Sequence, residues 1–249
     1  MKTKHKRNKY FDVIAKYLEN ESIELSISFG ISTKNSIDED VQEVYRSAED
    51  LMYREKLLEI PSMRSGAIEA ILTTLYEKDR GSEVHSRSVA LYSERIAQLH
   101  GLDRQSVQEV KTAGILHDIG KIITPIHILQ KQGKLTKEEY EIIKNHSEIG
   151  FRILNSTSDM RNISYIILNH HERWDGTGYP RRVRGEDIPL KSRIIAIADA
   201  FDAMTSERNY RDIITYKEAV QEIVANSGTQ FDPELVTLFK ENYLEITKE

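Results

Sequence analysis

Histidines and aspartates stand in this chain where helical periodicity asks for leucine or isoleucine. After "DRGSE" the apolar stripe runs His85, Val89, Tyr92, Ile96, Leu99, a spacing of four, three, four and three that keeps to one side of an α-helix. The next stretch repeats it with Val110, Ala113, Gly114 and His117. Ile142, His146, Ile149 and Ile153 follow, then Ile163, Ile166, Ile167 and His170, and a fifth stretch gives Ile195, Asp199 and Asp202. One such histidine, taken singly, reads as a hydrogen-bonded core residue. Five helices in succession are another matter, because each unpaired buried polar group costs on the order of several kcal/mol, and a domain's whole stability is only ~5–15 kcal/mol. A metal cluster removes the difficulty. Imidazoles and carboxylates without sulfur suit iron, manganese, zinc or another transition ion better than calcium or a structural zinc.

Two doubled positions sharpen this reading. Neighbours on a helix diverge by about 100°, so His117 with Asp118, and His170 with His171, embrace two metals, or one metal from a frayed helix end. Asp118 is the natural bridge, since a carboxylate can give one oxygen to each of two ions. His170 and His171 then mark a helix terminating against the metal pair, with the turn "DGTGYP" closing over it.

The elements that must position these residues are mostly helical. After Pro61 the pattern is helical almost to the end, with breaks at "DRGSE", "HGLDR", "KQGK", "NSTSD", "WDGTGYPRRVRGEDIP" and "NSGTQFDP". The first sixty residues differ: "NKYFDVIAKYLEN" predicts a helix, "IELSISFGIST" a strand and "DEDVQEVYRSAEDLMYREKLLEI" a second helix. The expected architecture is a mainly α bundle over 61–249, preceded by an α-β-α fragment over 1–60. With 249 residues, 39% hydrophobic, and no apolar run of the twenty or so residues a membrane span needs, no membrane association is expected. Thirty-five basic against forty acidic side chains give a net charge of −5, which argues against a general nucleic-acid or anionic-lipid surface and makes any phosphate site local. Cysteine is absent, which removes disulfides and thiolate zinc sites together. The charged start lacks a secretory apolar region, so cytoplasmic residence is the expectation.

With "LHDIGK" at 116–121 and "HHERWDGTGYP" at 170–180, the chain resembles the HD-GYP family, the branch of the HD phosphohydrolase superfamily whose members are bacterial cyclic-di-GMP phosphodiesterases. The likeness extends from about residue 64 to 245 and takes in "HSRSV", "KIITPIHILQKQGKLTKEEYEIIKNH", "IIAIADAFDAMTSERNYR" and "GTQFDPELV". It implies an HD-type helical bundle with two metals, iron or manganese first. His85, His117, Asp118 and Asp199 would ligate one, and Asp118, His146, His170 and His171 the other. Lys121, Arg208 and Arg211 match positions that contact the substrate phosphates, and Tyr179 and Pro180 belong to the loop associated with the site entrance and with docking of diguanylate cyclase (GGDEF) domains. A second copy of the chain is a further candidate partner. The implied reaction is attack of a hydroxide held between the metals on a phosphorus of cyclic-di-GMP, with Asp118 and Lys121 as the central catalytic residues and pGpG, then GMP, as products.

The departures from the family pattern are specific. Members that hold a third metal carry a Glu four residues before the first histidine, where this chain has Gly81, so two metals are expected; Glu77 and Glu83 lack the i, i+4 relation to His85. A proline usual in the arginine motif is Asn209, and the "P-D" and "K-P-G" dipeptides read Pro125-Ile126 and Lys131-Gln132-Gly133. "LSISFGIS" and "AEDLMYREKL" resemble the closing strand and last helix of a GGDEF domain, but no Gly-Gly pair occurs in the chain, which excludes cyclase activity. Two rival functions stand beside the phosphodiesterase: a cyclic-dinucleotide sensor or docking module with weak activity, and a hydrolase of a related molecule such as cyclic GMP-AMP.

Overall fold

The computed structural model describes residues 66–156, 158–206 and 214–248, with a few isolated positions between 31 and 48. Two compact units divide the chain, Met1–Arg64 and Ser65–Glu249. The first helix and most of the strand expected in the α-β-α fragment lie outside the described residues. Residues 31–34, the end of that expected strand and the residue after it, carry no regular structure, and the described positions from 41 to 48 are helical.

The second unit is mainly α, as the periodicity predicts. Its helices are α1 (Gly66–Lys78), α2 (Arg80–Leu99), α3 (Arg104–Leu116), α4 (Ile126–Leu129), α5 (Lys137–Lys144), α6 (His146–Asn155), α7 (Arg161–Leu168), α8 (Leu190–Thr205), α9 (Tyr216–Ala225) and α10 (Pro233–Ile246). No β-strand occurs among the described residues, only an isolated bridge between Ser227 and Phe231. None of their helices is long and apolar enough to cross a membrane.

Side-chain caps set several starts. Asp103 accepts from the Ser106 amide, Thr136 and Thr215 form capping boxes with Glu139 and Glu218, and Asp232 accepts from the Glu234 amide with Pro233 just inside α10. Two readings of the sequence need correction. The break at "DRGSE" shrinks to the single residue Asp79, and α2 begins at once with Arg80. The stretch carrying Ile142 and His146 is two helices, because Asn145 ends α5 and α6 opens on His146; Ile142 is exposed rather than inward.

α2 lies against α3 and α8, α3 also meets α7, and α6 packs on both α7 and the 3₁₀ turn Ile119–Ile123. Phe201 of α8 is fully buried, its ring meeting Tyr92, Tyr216 and Phe239 edge-on at centroid distances of 5.2–5.6 Å. Burial of such a side chain is worth about 1.5–3 kcal/mol, and here it fixes the helix that carries Asp199.

The 3₁₀ turn delivers Asp118 and Lys121, and it is clamped from both sides. From α1, the Lys78 ammonium donates to the carbonyls of Ile122 and Thr124 at 2.9 and 2.5 Å. From α6, the backbone at His146 presses against Gly120, where an added Cβ would stand 2.0 Å from the His146 carbonyl oxygen and 2.7 Å from the Gly150 nitrogen. Only glycine allows this contact between the turn holding Asp118 and the helix holding His146. Gly120→Ala is expected to lower stability by at least the ~1–3 kcal/mol of an overpacked core, whereas Gly66→Ala, which meets nothing within 4 Å, leaves it unchanged; thermal unfolding of the two variants is the measurement.

Candidate metal centre

The helix ends and turns bring the seven His and Asp positions into one buried cluster. His85 projects from the second turn of α2, His117 caps the C-terminus of α3, and Asp118 follows it. His146 opens α6, His170 and His171 lie just past α7, and Asp199 sits in the middle of α8. His85, His117, Asp118, His146 and His170 are buried, while Asp199 and His171 are partly exposed, one in each half of the cluster. The centre therefore opens to solvent at two of its members.

Its ligand-type atoms fall into two groups able to hold a metal ion, His85–His117–Asp199 and His146–His170–His171. Asp118 lies between them and shows a different oxygen to each. Its Oδ2 is 3.4 Å from His117 Nε2 and 3.9 Å from His85 Nε2, and its Oδ1 is 3.5 Å from His146 Nε2. Asp199 Oδ1 closes the first group at 3.2 Å from His85 Nε2 and 3.9 Å from His117 Nε2. The Lys121 ammonium donates to Asp118 Oδ2 at 2.6 Å.

Backbone geometry orients the rings. The Nδ1 atoms of His117, His146 and His170 lie 2.5–2.7 Å from the carbonyl oxygens of Gly114, Ile143 and Ile167, each three residues earlier. A carbonyl only accepts, so each Nδ1 carries the proton and each Nε2 turns a lone pair inward. His146 Nε2 and His170 Nε2 then face each other at 3.3 Å, lone pair to lone pair, and the buried His117 Nε2 has no hydrogen-bond partner. Burial, opposed only in part by Asp118, pushes His146 down to about 4. Burial and the neighbouring His146 take His171 to about 3, and burial with His171 and His146 holds His170 well below the usual imidazole range. These rings are neutral at pH 7. Burial alone would raise the carboxyls of Asp118 and Asp199, but the polar groups that face them, the Lys121 ammonium on Asp118 among them, hold both well below the ordinary carboxylate value. Neutral imidazoles aimed inward around ionised carboxylates are the donor set a divalent transition ion takes.

Sequence reasoning missed three residues at this centre. Asp202 stood on the α8 stripe with no role, and its Oδ2 lies 2.6 Å from His85 Nδ1. Glu172, directly after the His pair, is buried and accepts from the amides of Arg181 and Arg182 at 2.6 and 3.0 Å; desolvation raises its pKa despite those bonds, and its other oxygen is unpartnered. The third, Lys144, sits over the rings of Tyr140 and Tyr179 at 5.3 and 5.6 Å, an i, i+4 pairing with Tyr140 that the sequence does carry. Glu83, by contrast, pairs with Arg87 at 2.7 Å.

Of the residues expected to meet substrate, Lys121 borders the centre and Tyr179 stacks on His171 with centroids 4.9 Å apart. Burial drives the Tyr179 phenol above its usual range. Pro180, half-buried, follows it through a cis peptide bond. Gly178 lets this loop fold back, since a Cβ there would stand 2.4 Å from the Arg173 nitrogen and 2.6 Å from the His171 carbonyl oxygen. The loop is tied to the segment before α10 by Trp174 and Asp175 amides donating to the carbonyls of Gln230 and Thr229, at 3.2 and 2.8 Å. Arg208 and Arg211 lie outside the described residues.

The model of the HD domain family matches residues 71–235. The chain belongs to the HD domain family. Among curated relatives of this HD domain, the "3'3'-cGAMP-specific phosphodiesterase 2" of Vibrio cholerae is 41% identical over 192 residues, covering 76% of this chain and 35% of the relative. A "Cyclic di-GMP phosphodiesterase" of Thermotoga maritima is 40% identical over 213 residues, 85% of this chain and 55% of the relative. The chain thus spans about half or less of the length of these proteins. A solved HDG"Y"P protein from Bdellovibrio bacteriovorus shares the fold, with a TM-score of 0.58 at 17% identity over 85% of this chain and 75% of that one. The likeness read from "HDIGK" and "HHERWDGTGYP" is borne out by these relatives.

Glu172→Ala would strip the Arg181 and Arg182 amides of their acceptor, a loss of roughly 1–3 kcal/mol. Faster hydrogen exchange confined to residues 179–185, with the helices still protected, is the expected outcome.

Proposed function

We propose that this chain is a metal-dependent phosphodiesterase that hydrolyses a 3′,5′-linked cyclic dinucleotide, cyclic-di-GMP first, to pGpG or GMP. The observation that carries the reading is the inward-facing pair of lone pairs on His146 and His170, with Asp118 offering one oxygen to each half of the cluster. A cation between them makes that arrangement favourable in a buried site.

His85, His117, Asp118 and Asp199 would hold one divalent ion, iron or manganese, and Asp118, His146, His170 and His171 a second. When bound, such ions supply Lewis acidity toward a phosphodiester and bring the pKa of water toward neutrality. The chain's own residues do the rest. Backbone carbonyls keep three imidazoles in the tautomer that presents Nε2, so no reorientation is needed as charge develops. Lys121, on the Asp118 oxygen, puts a fixed positive charge beside the place where a non-bridging phosphate oxygen would arrive. Tyr179, its ring tilted 34° against that of His171 and half-buried, covers one side of the opening and limits water there. Arg208 and Arg211 remain our candidates for the second phosphate. The Tyr179–Pro180 loop is the proposed dock for a GGDEF domain, and residues 1–60 are read as a remnant of such a domain, which rests on "LSISFGIS" and "AEDLMYREKL".

A second substrate has a specific observation in its favour: the relative at 41% identity bears the name of a 3′3′-cGAMP-specific enzyme. Both nucleotides present the same backbone to the centre, so the choice lies in base contacts. The test is to load the protein anaerobically with iron or manganese, quantify bound metal, and follow both nucleotides by chromatography. Asp118→Ala is expected to cut metal content and to lower turnover by more than about 100-fold, the upper end for losing a ligand's supporting partner. Undiminished turnover in that variant overturns the reading; binding without turnover in the unaltered protein favours a sensor.

A further inference from the structure

Four of the five histidines in the centre have an identified partner at Nδ1, and one partner differs from the rest. His117, His146 and His170 donate to backbone carbonyls, while His85 donates to the carboxylate of Asp202 at 2.6 Å. Asp202 is 1% exposed. Its second oxygen accepts from the Ser206 hydroxyl at 2.8 Å, so the carboxylate is held on both sides, and it stands one helical turn beyond Asp199 on the same face of α8. A carboxylate behind an imidazole makes the far nitrogen a stronger donor than a carbonyl does, because it stabilises positive charge drawn into the ring.

The two halves of the centre are therefore unequal. The half formed by His85, His117 and Asp199 has a carboxylate of its own, and Asp202 stands behind one of its imidazoles. The half formed by His146, His170 and His171 has three imidazoles and no carboxylate of its own, and two of the rings are backed by carbonyls. Asp118 is common to both.

We infer that Asp202 is a positioning residue that holds His85 as a strong donor and makes the His85–His117–Asp199 half the tighter of two metal sites. The inference rests on the two-metal reading above and adds an order of loading to it: the α2/α3/α8 half fills first, the α6/α7 half second. The apparent mismatch between the halves is then a device for keeping one ion resident while the other equilibrates with its surroundings.

The test is calorimetric titration of metal-free protein with Mn(II), with His170→Ala assigning the weaker step. Two resolved steps are expected for the unaltered protein. In Asp202→Asn the tight step should weaken by about 10–100-fold, the usual effect of removing such a partner, with the weaker step unmoved, and Asp202→Glu should restore part of the loss. A fold defect alone would disturb both steps and would not be rescued by charge. Should Asp202→Asn fail to fold, Ser206→Ala, which leaves both charges in place, should give a smaller weakening confined to the tight step; both steps unchanged there overturns the inference. Two wild-type steps that Asp202→Asn leaves unaltered overturn the role of Asp202 and leave the two-metal reading standing. No Mn(II) binding by the unaltered protein overturns both.

Discussion

The constraint on which this molecule depends is electrostatic. Five imidazoles and two carboxylates converge in a core from which water is largely excluded, and at least two of the imidazoles meet lone pair to lone pair. Left to itself such a cluster opposes folding, because low dielectric strengthens repulsion as much as attraction. The surrounding helices accordingly look like a frame built to hold an unfavourable arrangement in place. Phe201 and its ring of aromatic neighbours anchor α8, Lys78 pins the turn after α3, and the backbones of that turn and of α6 meet at Gly120 with no room for a side chain.

The frame also governs which protonation states are available. Because three rings are tethered through Nδ1 to carbonyls on their own preceding turns, orientation is fixed by main-chain atoms that no substitution can remove. These three histidines stand at helix ends, His117 and His170 at C-termini and His146 directly after the end of α5, where the last carbonyls have no intrahelical partner. Placing a histidine there satisfies a carbonyl and aims a ligand in one stroke. Three helices, α3, α5 and α7, each supply one such end.

Much of this was legible in the sequence, for physical reasons that can be named. His85 heads the apolar stripe of one long helix and Asp199 follows Ile195 on that of another, so their inward direction follows from spacing alone. His117, Asp118, His170 and His171 were legible as a pair of doublets, since adjacent residues point together only where a helix stops. The break at Asn145 was not, because Ile142, His146 and Ile149 keep a helical period across it and Asn145 itself stays in the helical region with φ −63° and ψ −15°. Asp202 and Glu172 escaped for a different reason: their importance lies in contacts with residues 117 positions away and with the amides of a folded-back loop, which no local pattern encodes. Glu83, which the sequence places near His85 without a shared helix face, pairs with Arg87.

The stapling of the Trp174–Asp175 segment to Thr229 and Gln230 bears on how the protein comes into being. A chain emerging from the ribosome has exposed every His and Asp of the centre once Asp199 is out, before the residues that brace the mouth have been synthesised. Domains generally fold as units, so the frame around the centre is complete only once residues 229 and 230 have joined it. The rim of the centre is thus held by chain made after the last of its acids, and loosening the joint between the last two helices would widen the mouth without touching a single His or Asp.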